Sequence, residues 1–179
     1  HERLVGSGDV YKRQVLVLAL LLNSVIFYVA CSTVLQKTFT ENMLYTLKTI
    51  DSFLDYSKDL KSQIEKMDPV FGQNDSRITV VSKEGTVLLD TAGQGEADME
   101  NHSERPEIQS AIKTGSGFAE RRSLTMRQYM IYTAYYSEKG DVVLRLSAPY
   151  SGLKEFLPML LPAAWLSFAA AMILSLIHI

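Results

Sequence analysis

The sequence predicts an α+β protein: a five-stranded antiparallel sheet with a long helix before it, set between two membrane-crossing helices. Three observations lead there. Two charge-free apolar runs flank a polar middle. A helical repeat of apolar residues follows the first run directly. Beyond it come short β-branched and aromatic stretches separated by turn signals.

The first run, Val15 to Leu35 (VLVLALLLNSVIFYVACSTVL), carries no charge and its roughly 20 residues suffice to cross the hydrocarbon core as a helix. Asn23, Ser24, Ser32 and Thr33 are uncharged, and bond to backbone or to a neighbouring helix. The second run, Phe156 to Ile177, is also charge-free, with Pro158 and Pro162 near its start and Trp165 shallow. Neither run has a polar face, so two buried core helices fit poorly. Lys12 and Arg13 place the N-terminus in the cytoplasm by the positive-inside rule, so residues 36–155 are expected outside a bacterial cell membrane crossed twice. A rival reading is a lipoprotein signal ending at Val29-Ala30-Cys31; it needs a small residue where Tyr28 stands and leaves the second run unexplained. The ends, residues 1–14 and 174–179, contain DVYKRQ and SLIHI, which resemble translated adapter read-through, and they receive no functional weight.

In the middle, Thr38 to Lys66 has a helical period, with Met43, Leu47, Ile50, Leu54, Leu60 and Ile64 as its apolar stripe. One unbroken helix is expected, ended by Asp68-Pro69, with a loop over residues 71–75. Arg77–Ser82 and Thr86–Asp90 read as a hairpin around Lys83-Glu84-Gly85, where Gly85 takes the positive φ of a tight turn. Residues 91–98 are small and polar, a loop. Pro106 suits the first turn of a short helix over Glu107–Lys113, and Gly115 is its natural C-cap. Phe118–Ser123, Gln128–Ser137 and Asp141–Pro149 complete the strands. Leu144 and Leu146 alternate with Arg145 and Ser147, which predicts one buried and one open face. Helices are expected on one face of the sheet and loops on the other.

The chemistry is that of binding. With 18 Lys and Arg against 20 Asp and Glu, the net charge of −2 offers no basic field for nucleic acid. Cys31 is the single cysteine, which excludes an intrachain disulfide and a cysteine-based zinc site. No phosphate-binding or dinucleotide glycine pattern and no nucleophile elbow occurs, so no catalytic residue and no cofactor is assigned. A metal site of His102 with Asp98, Glu100 or Glu104 is the weaker reading, and none is assigned. The stretch Met99 to Ile108 stands out. His102 and Arg105 lie three residues apart in a loop and both offer N–H donors to a carboxylate or phosphate. Arg121, Arg122 and Arg127 flank a turn, Arg145 lies on the last strand, and Tyr129, Tyr132, Tyr135 and Tyr136 crowd one strand. A pocket between the sheet and the loop would gather His102, Arg105, Tyr132 and Arg145 around a small anionic ligand. The bland alternative makes the arginines a solvated face and the tyrosines ordinary strand residues.

The order of features resembles the extracytoplasmic sensor region of Gram-positive phosphate-starvation-type sensor histidine kinases, which have a PAS-like, Cache-related domain. The likeness rests on Arg77–Val81 with Lys83–Asp90, on Met99-Glu100-Asn101-His102, and on Arg105-Pro106-Glu107-Ile108. It continues through Ala111–Gly117 and Val143–Pro149. Its most specific part is the motif of Asn101, His102, Arg105, Pro106 and Glu107. The resemblance implies a homodimer in contact with membrane lipid, whose paired first helices signal to a kinase that transfers phosphate from ATP to histidine. The same sensor type also precedes diguanylate cyclase and chemoreceptor outputs. A second class of function is an interaction module that senses an envelope partner protein or the membrane without a small-molecule pocket.

Overall fold

The computed structural model describes residues 2–71, 76–91, 101–123 and 128–152, together with Pro158, Leu161, Pro162, Trp165, Leu166, Ser167 and Ala169. The chain divides into two compact units, one of residues 1–37 with 152–179 and the other of residues 38–151.

Helix α1 runs Glu2–Phe53. Among the described residues it supplies one helix long and apolar enough to cross a membrane, and nothing in its most apolar window is buried. Two of its polar residues bond within the helix: the Ser24 hydroxyl donates to the Leu20 carbonyl at 2.8 Å and the Thr33 hydroxyl to the Val29 carbonyl at 2.9 Å. The second apolar run lies almost entirely outside the described residues, so two spans remain an expectation.

In the second unit the expected unbroken helix is two. α1 stops at Phe53 and α2 spans Leu60–Phe71. The break is made by short polar side chains that offer the backbone other partners. The Asp55 carboxylate accepts from the Ser57 N–H at 3.0 Å, and the Gln63 side chain both accepts from the Asp55 N–H and donates to its carbonyl, each at 2.9 Å. Asp59 caps α2 by accepting from the Ser62 N–H at 3.0 Å. The helix also continues past Asp68-Pro69 to Phe71 rather than ending there.

The strands are β1 Arg77–Ser82, β2 Val87–Asp90, β3 Ser116–Arg122, β4 Tyr129–Ser137 and β5 Val142–Pro149, with α3 at Pro106–Thr114. They form one antiparallel sheet in the order β2-β1-β5-β4-β3. Thus β5, last in the chain, is central. One face packs Ile78, Val80, Leu89, Ile131, Leu144 and Leu146 against Met43, Leu47 and Ile50 of α1, Leu54 just after it, and Ile64 of α2. The other packs Val81, Ala134 and Val143 against Ile108 and Ala111 of α3. Helices therefore cover both faces, not one. The expectation of an open face on β5 fails with it: Val142 through Ala148 are all buried, because α3 and the segment before it close over the second face.

Candidate functional site

The site is built on that second face. Register places Arg145 of β5 beside Thr79 on one side and Ala134 on the other, and Tyr132 beside Ser147 and Ala119. Strand alternation turns Thr79, Tyr132 and Arg145 to the same side as α3.

Three devices bring the motif residues over this face. Gly85 takes φ +88, and a Cβ there would lie 2.2 Å from the Ser103 nitrogen, so the hairpin turn seats directly on residues 101–103. The His102 N–H donates to the Gly85 carbonyl at 2.8 Å. The Asn101 side chain donates to the Glu84 carbonyl at 3.1 Å and accepts from the Ser103 N–H at 2.7 Å. Arg105 is held extended (φ −72, ψ 126) ahead of Pro106 and caps α3 with its carbonyl, which accepts from the Ile108 and Gln109 N–H groups. Gly117 lets α3 sit tightly on β3, since a Cβ there would lie 2.3 Å from the Glu107 carbonyl oxygen. Glu107, in the first turn of α3, is thereby pushed inward and fully buried.

The resulting cluster is charged and largely buried. Glu107 accepts a two-pronged bond from Arg121, Nη1 to Oε2 at 2.9 Å and Nη2 to Oε1 at 2.8 Å. Arg145, 4% exposed, lies with Nη1 3.8 Å from the same carboxylate. Its Nη2 donates to the Thr79 hydroxyl at 3.2 Å, and its Nη1 lies 3.3 Å from His102 Nδ1. Its Nε is buried and has no partner among the described residues. The Thr79 hydroxyl in turn donates to Asp90 at 3.0 Å, and Asp90 is paired with Arg77. The Arg121 guanidinium stacks 3.7 Å from the Tyr132 ring, and that of Arg145 lies 5.5 Å from it.

The protonation states follow from the surroundings. Burial, then the charges of Arg145 and Arg105, push His102 down to about 4, so its ring is neutral at physiological pH. Burial pulls Arg145 down to about 10, against the opposing pull of Glu107. For Glu107 burial acts upward, but the hydrogen bonds from Arg121 and the charges of Arg121 and Arg145 outweigh it and hold the carboxylate below its usual range.

Of the ligand-binding residues expected from sequence, His102, Tyr132 and Arg145 meet in one cluster, and Arg105 bears on it through its charge at His102. Asn101 and Pro106 position the others. Arg121, Thr79 and Asp90 were not expected as members, and Glu107 was expected as part of the motif but not as a ligand-site residue. Arg121 gave no local signal. It pairs with Met130 at a register that puts it on the face of Ala119 and Tyr132, but that register is invisible until the strands are paired.

No protein-family model and no curated protein matches the chain in sequence. Among solved structures it is similar to the ligand-binding domain of the Pseudomonas aeruginosa PAO1 amino acid chemoreceptor PctC, solved with GABA. The TM-score is 0.56 at 14% identity, over 73% of this chain and 62% of that one. It also matches the Bacillus subtilis YkuI protein, which has an EAL domain, at TM-score 0.44 and 18% identity over 64% of this chain and 32% of that one. The extracellular domain of rpHK1S-Z16, described as a histidine kinase, matches at TM-score 0.35 and 12% identity over 42% of this chain and 31% of that one. The chain thus spans about a third of the last two. The structural neighbours include extracellular sensor and ligand-binding domains of histidine kinases and chemoreceptors, and the likeness to PctC, at this identity, is one of fold.

Proposed function

We propose that the chain is the signal-input module of a membrane-anchored receptor, and that its extracytoplasmic domain binds a small anion at Arg145. The observation that carries this reading is the buried Arg145 itself. A guanidinium that is 4% exposed, with an unpartnered Nε, stands among the described residues beside two further arginines and two paired carboxylates. Burying an uncompensated cation is costly unless something supplies the charge. His102, Arg105 and Tyr132 complete the ligand set, and no cofactor or metal is invoked.

The output proposed is a histidine kinase of the Gram-positive phosphate-starvation type, working as a homodimer that crosses the bacterial membrane twice. The fold likeness to PctC favours a second reading, a chemoreceptor input. A clean read of the gene after Leu174 separates the two. Ligand binding is tested by a thermal-shift screen of the purified full chain in detergent micelles against carboxylates and phosphates. Binding to the folded state alone raises stability by about 2.7 kcal/mol at a hundredfold excess over Kd. The Arg105→Ala variant should weaken any hit at least tenfold. An empty screen would move the weight to an interaction module that senses an envelope protein or the membrane.

A further inference from the structure

The end of the sheet where residues 38–151 begin and finish carries a row of side chains that the Arg145 cluster does not use. Resting on the membrane-anchored reading above, we infer that this end docks on an anionic lipid surface. Arg122 of β3 takes a headgroup phosphate there, and Tyr129 of β4 lies in the headgroup layer.

The row follows from register. Arg122 stands opposite Tyr129 across β3 and β4. The Tyr150 N–H, just past β5, donates to the Tyr129 carbonyl at 3.0 Å. The Tyr150 ring lies 5.2 Å from that of Phe39 on α1, and both pack against the core on the α1 side of the sheet. Arg121 turns to Glu107 on the α3 side, so strand alternation turns Arg122, with Tyr129 opposite it, to the α1 side. One cation and three aromatic rings thus cross this end in the order β3, β4, β5, α1.

Two of the four are open. Tyr129 is 54% exposed, and Arg122 is exposed with no ion pair among the described residues. A tyrosine ring with a polar tip suits the headgroup level of a bilayer, and a guanidinium forks onto phosphate oxygens. Residues 123–128, which join the two, include no acidic residue. The next charge on this face of β3 is Glu120, two positions further from the end, and it has contacts of its own.

The tethers name the occupant. Phe39 follows the charge-free run ending at Leu35 by four residues, and Tyr150 precedes the run starting at Phe156 by six. At no more than about 3.6 Å per residue, neither tether exceeds about 22 Å. A small folded domain is about 30 Å across, so it does not fit between this end and the bilayer. Lipid headgroups do.

The test reconstitutes the full chain in lipid nanodiscs of phosphatidylcholine, with or without phosphatidylglycerol, doped with a lipid that bears a nitroxide on its headgroup. Tyr129→Trp in a Trp165→Phe background reports on the row. Phe118→Trp in the same background is the control, since Phe118 is 61% exposed on the same face of β3 but four positions further from the end. The indole at position 129 should be quenched at least twofold more with phosphatidylglycerol than without it, and the indole at position 118 in neither lipid. Arg122→Glu, and the milder Arg122→Gln, should remove the difference at 129 while melting as their parent does. Equal quenching in both lipids, or a difference that survives both Arg122 variants, would overturn headgroup recognition and leave an end merely held near the bilayer. An indole at 129 that stays unquenched would overturn the docking; a blue shift that grows with copies per disc would then give the row to a second chain. A chain stripped from the lipid by an alkaline wash would overturn the membrane-anchored reading and the inference with it.

Discussion

Replacing Glu107 by Gln isolates the electrostatic role of α3 in the cluster. The substitution keeps the volume and one acceptor oxygen, so no cavity contributes. What changes is the charge facing Arg121 at 2.8 Å and Arg145 at 3.8 Å. At an effective dielectric constant of about 20, a unit pair at the longer separation is worth about 4 kcal/mol. Arg121, with 28% of its side chain exposed, recovers part of the loss by turning to water; Arg145, with 5%, cannot. The expected destabilisation is therefore about 3 kcal/mol, near the low end for breaking a buried pair. Urea denaturation of residues 38–151 measures it as a shift in midpoint at constant slope. Arg121→Met closes a double-mutant cycle, and a coupling of about 2 kcal/mol with Glu107→Gln is expected because the two groups share their bonds. A Glu107→Gln protein within about 0.5 kcal/mol of wild type, or single effects that simply add, would refute the role assigned to this pair.

Three further outcomes follow from the same geometry. Between pH 6.5 and about 4 the unfolded chain carries a proton on His102 that the folded one does not. Stability therefore rises with pH across that window, by about 3 kcal/mol in all, and His102→Gln should flatten its upper part above the range where Glu107 titrates, as read by midpoint against pH. Gly85→Ala should cost more than about 2 kcal/mol, because φ +88 is strained for alanine and the new Cβ strikes Ser103; hydrogen exchange at the His102 amide should lose protection. Asp59→Ala removes the cap of α2 and should cost about 1 kcal/mol in the same denaturation assay.

The sheet was largely legible because its signals are local. Alternation and the turns at Gly85 and at 138–141 set the strands to within a residue or two, and Gly115 closes α3 in the left-handed conformation expected of it, φ 87. The break between α1 and α2 was not legible. Apolar spacing reports which side of a helix is buried, and Leu54, Leu60 and Ile64 keep that side buried whether or not the backbone between them is helical. What breaks it is the bonding of Asp55, Asp59 and Gln63 to nearby backbone, which leaves no mark on the apolar period. Nor does the amphipathy of α3 say which face of the sheet it covers. That choice decided the site, since it turned Arg145 from a residue on an open face into a buried one and drew Glu107 to it. His102, Tyr132 and Arg145 could be grouped from sequence by their chemistry alone. Arg121 could not, because its membership depends on the register of β3 against β4.

The position of Arg145 on β5 gives that grouping a mechanical consequence. Leu144 and Leu146, on either side of it in sequence, point to the opposite face and pack in the cluster that holds Leu47 and Ile50 of α1. Arg145 itself faces Glu107 of α3. One strand is thus tied to α3 by charge and to α1 by close packing, and adjacent residues carry the two ties. An anion bound at Arg145, as proposed above, would compete with Glu107 for the same guanidinium and so weaken the first tie. Close-packed interfaces do not deform smoothly; they exchange one arrangement for another. A ligand shifts such an exchange only by the difference in its affinity for the two arrangements. If the proposed ligand displaced the Glu107–Arg145 contact, that difference would be set where it binds, and β5 would carry it to α1 through residues one position away.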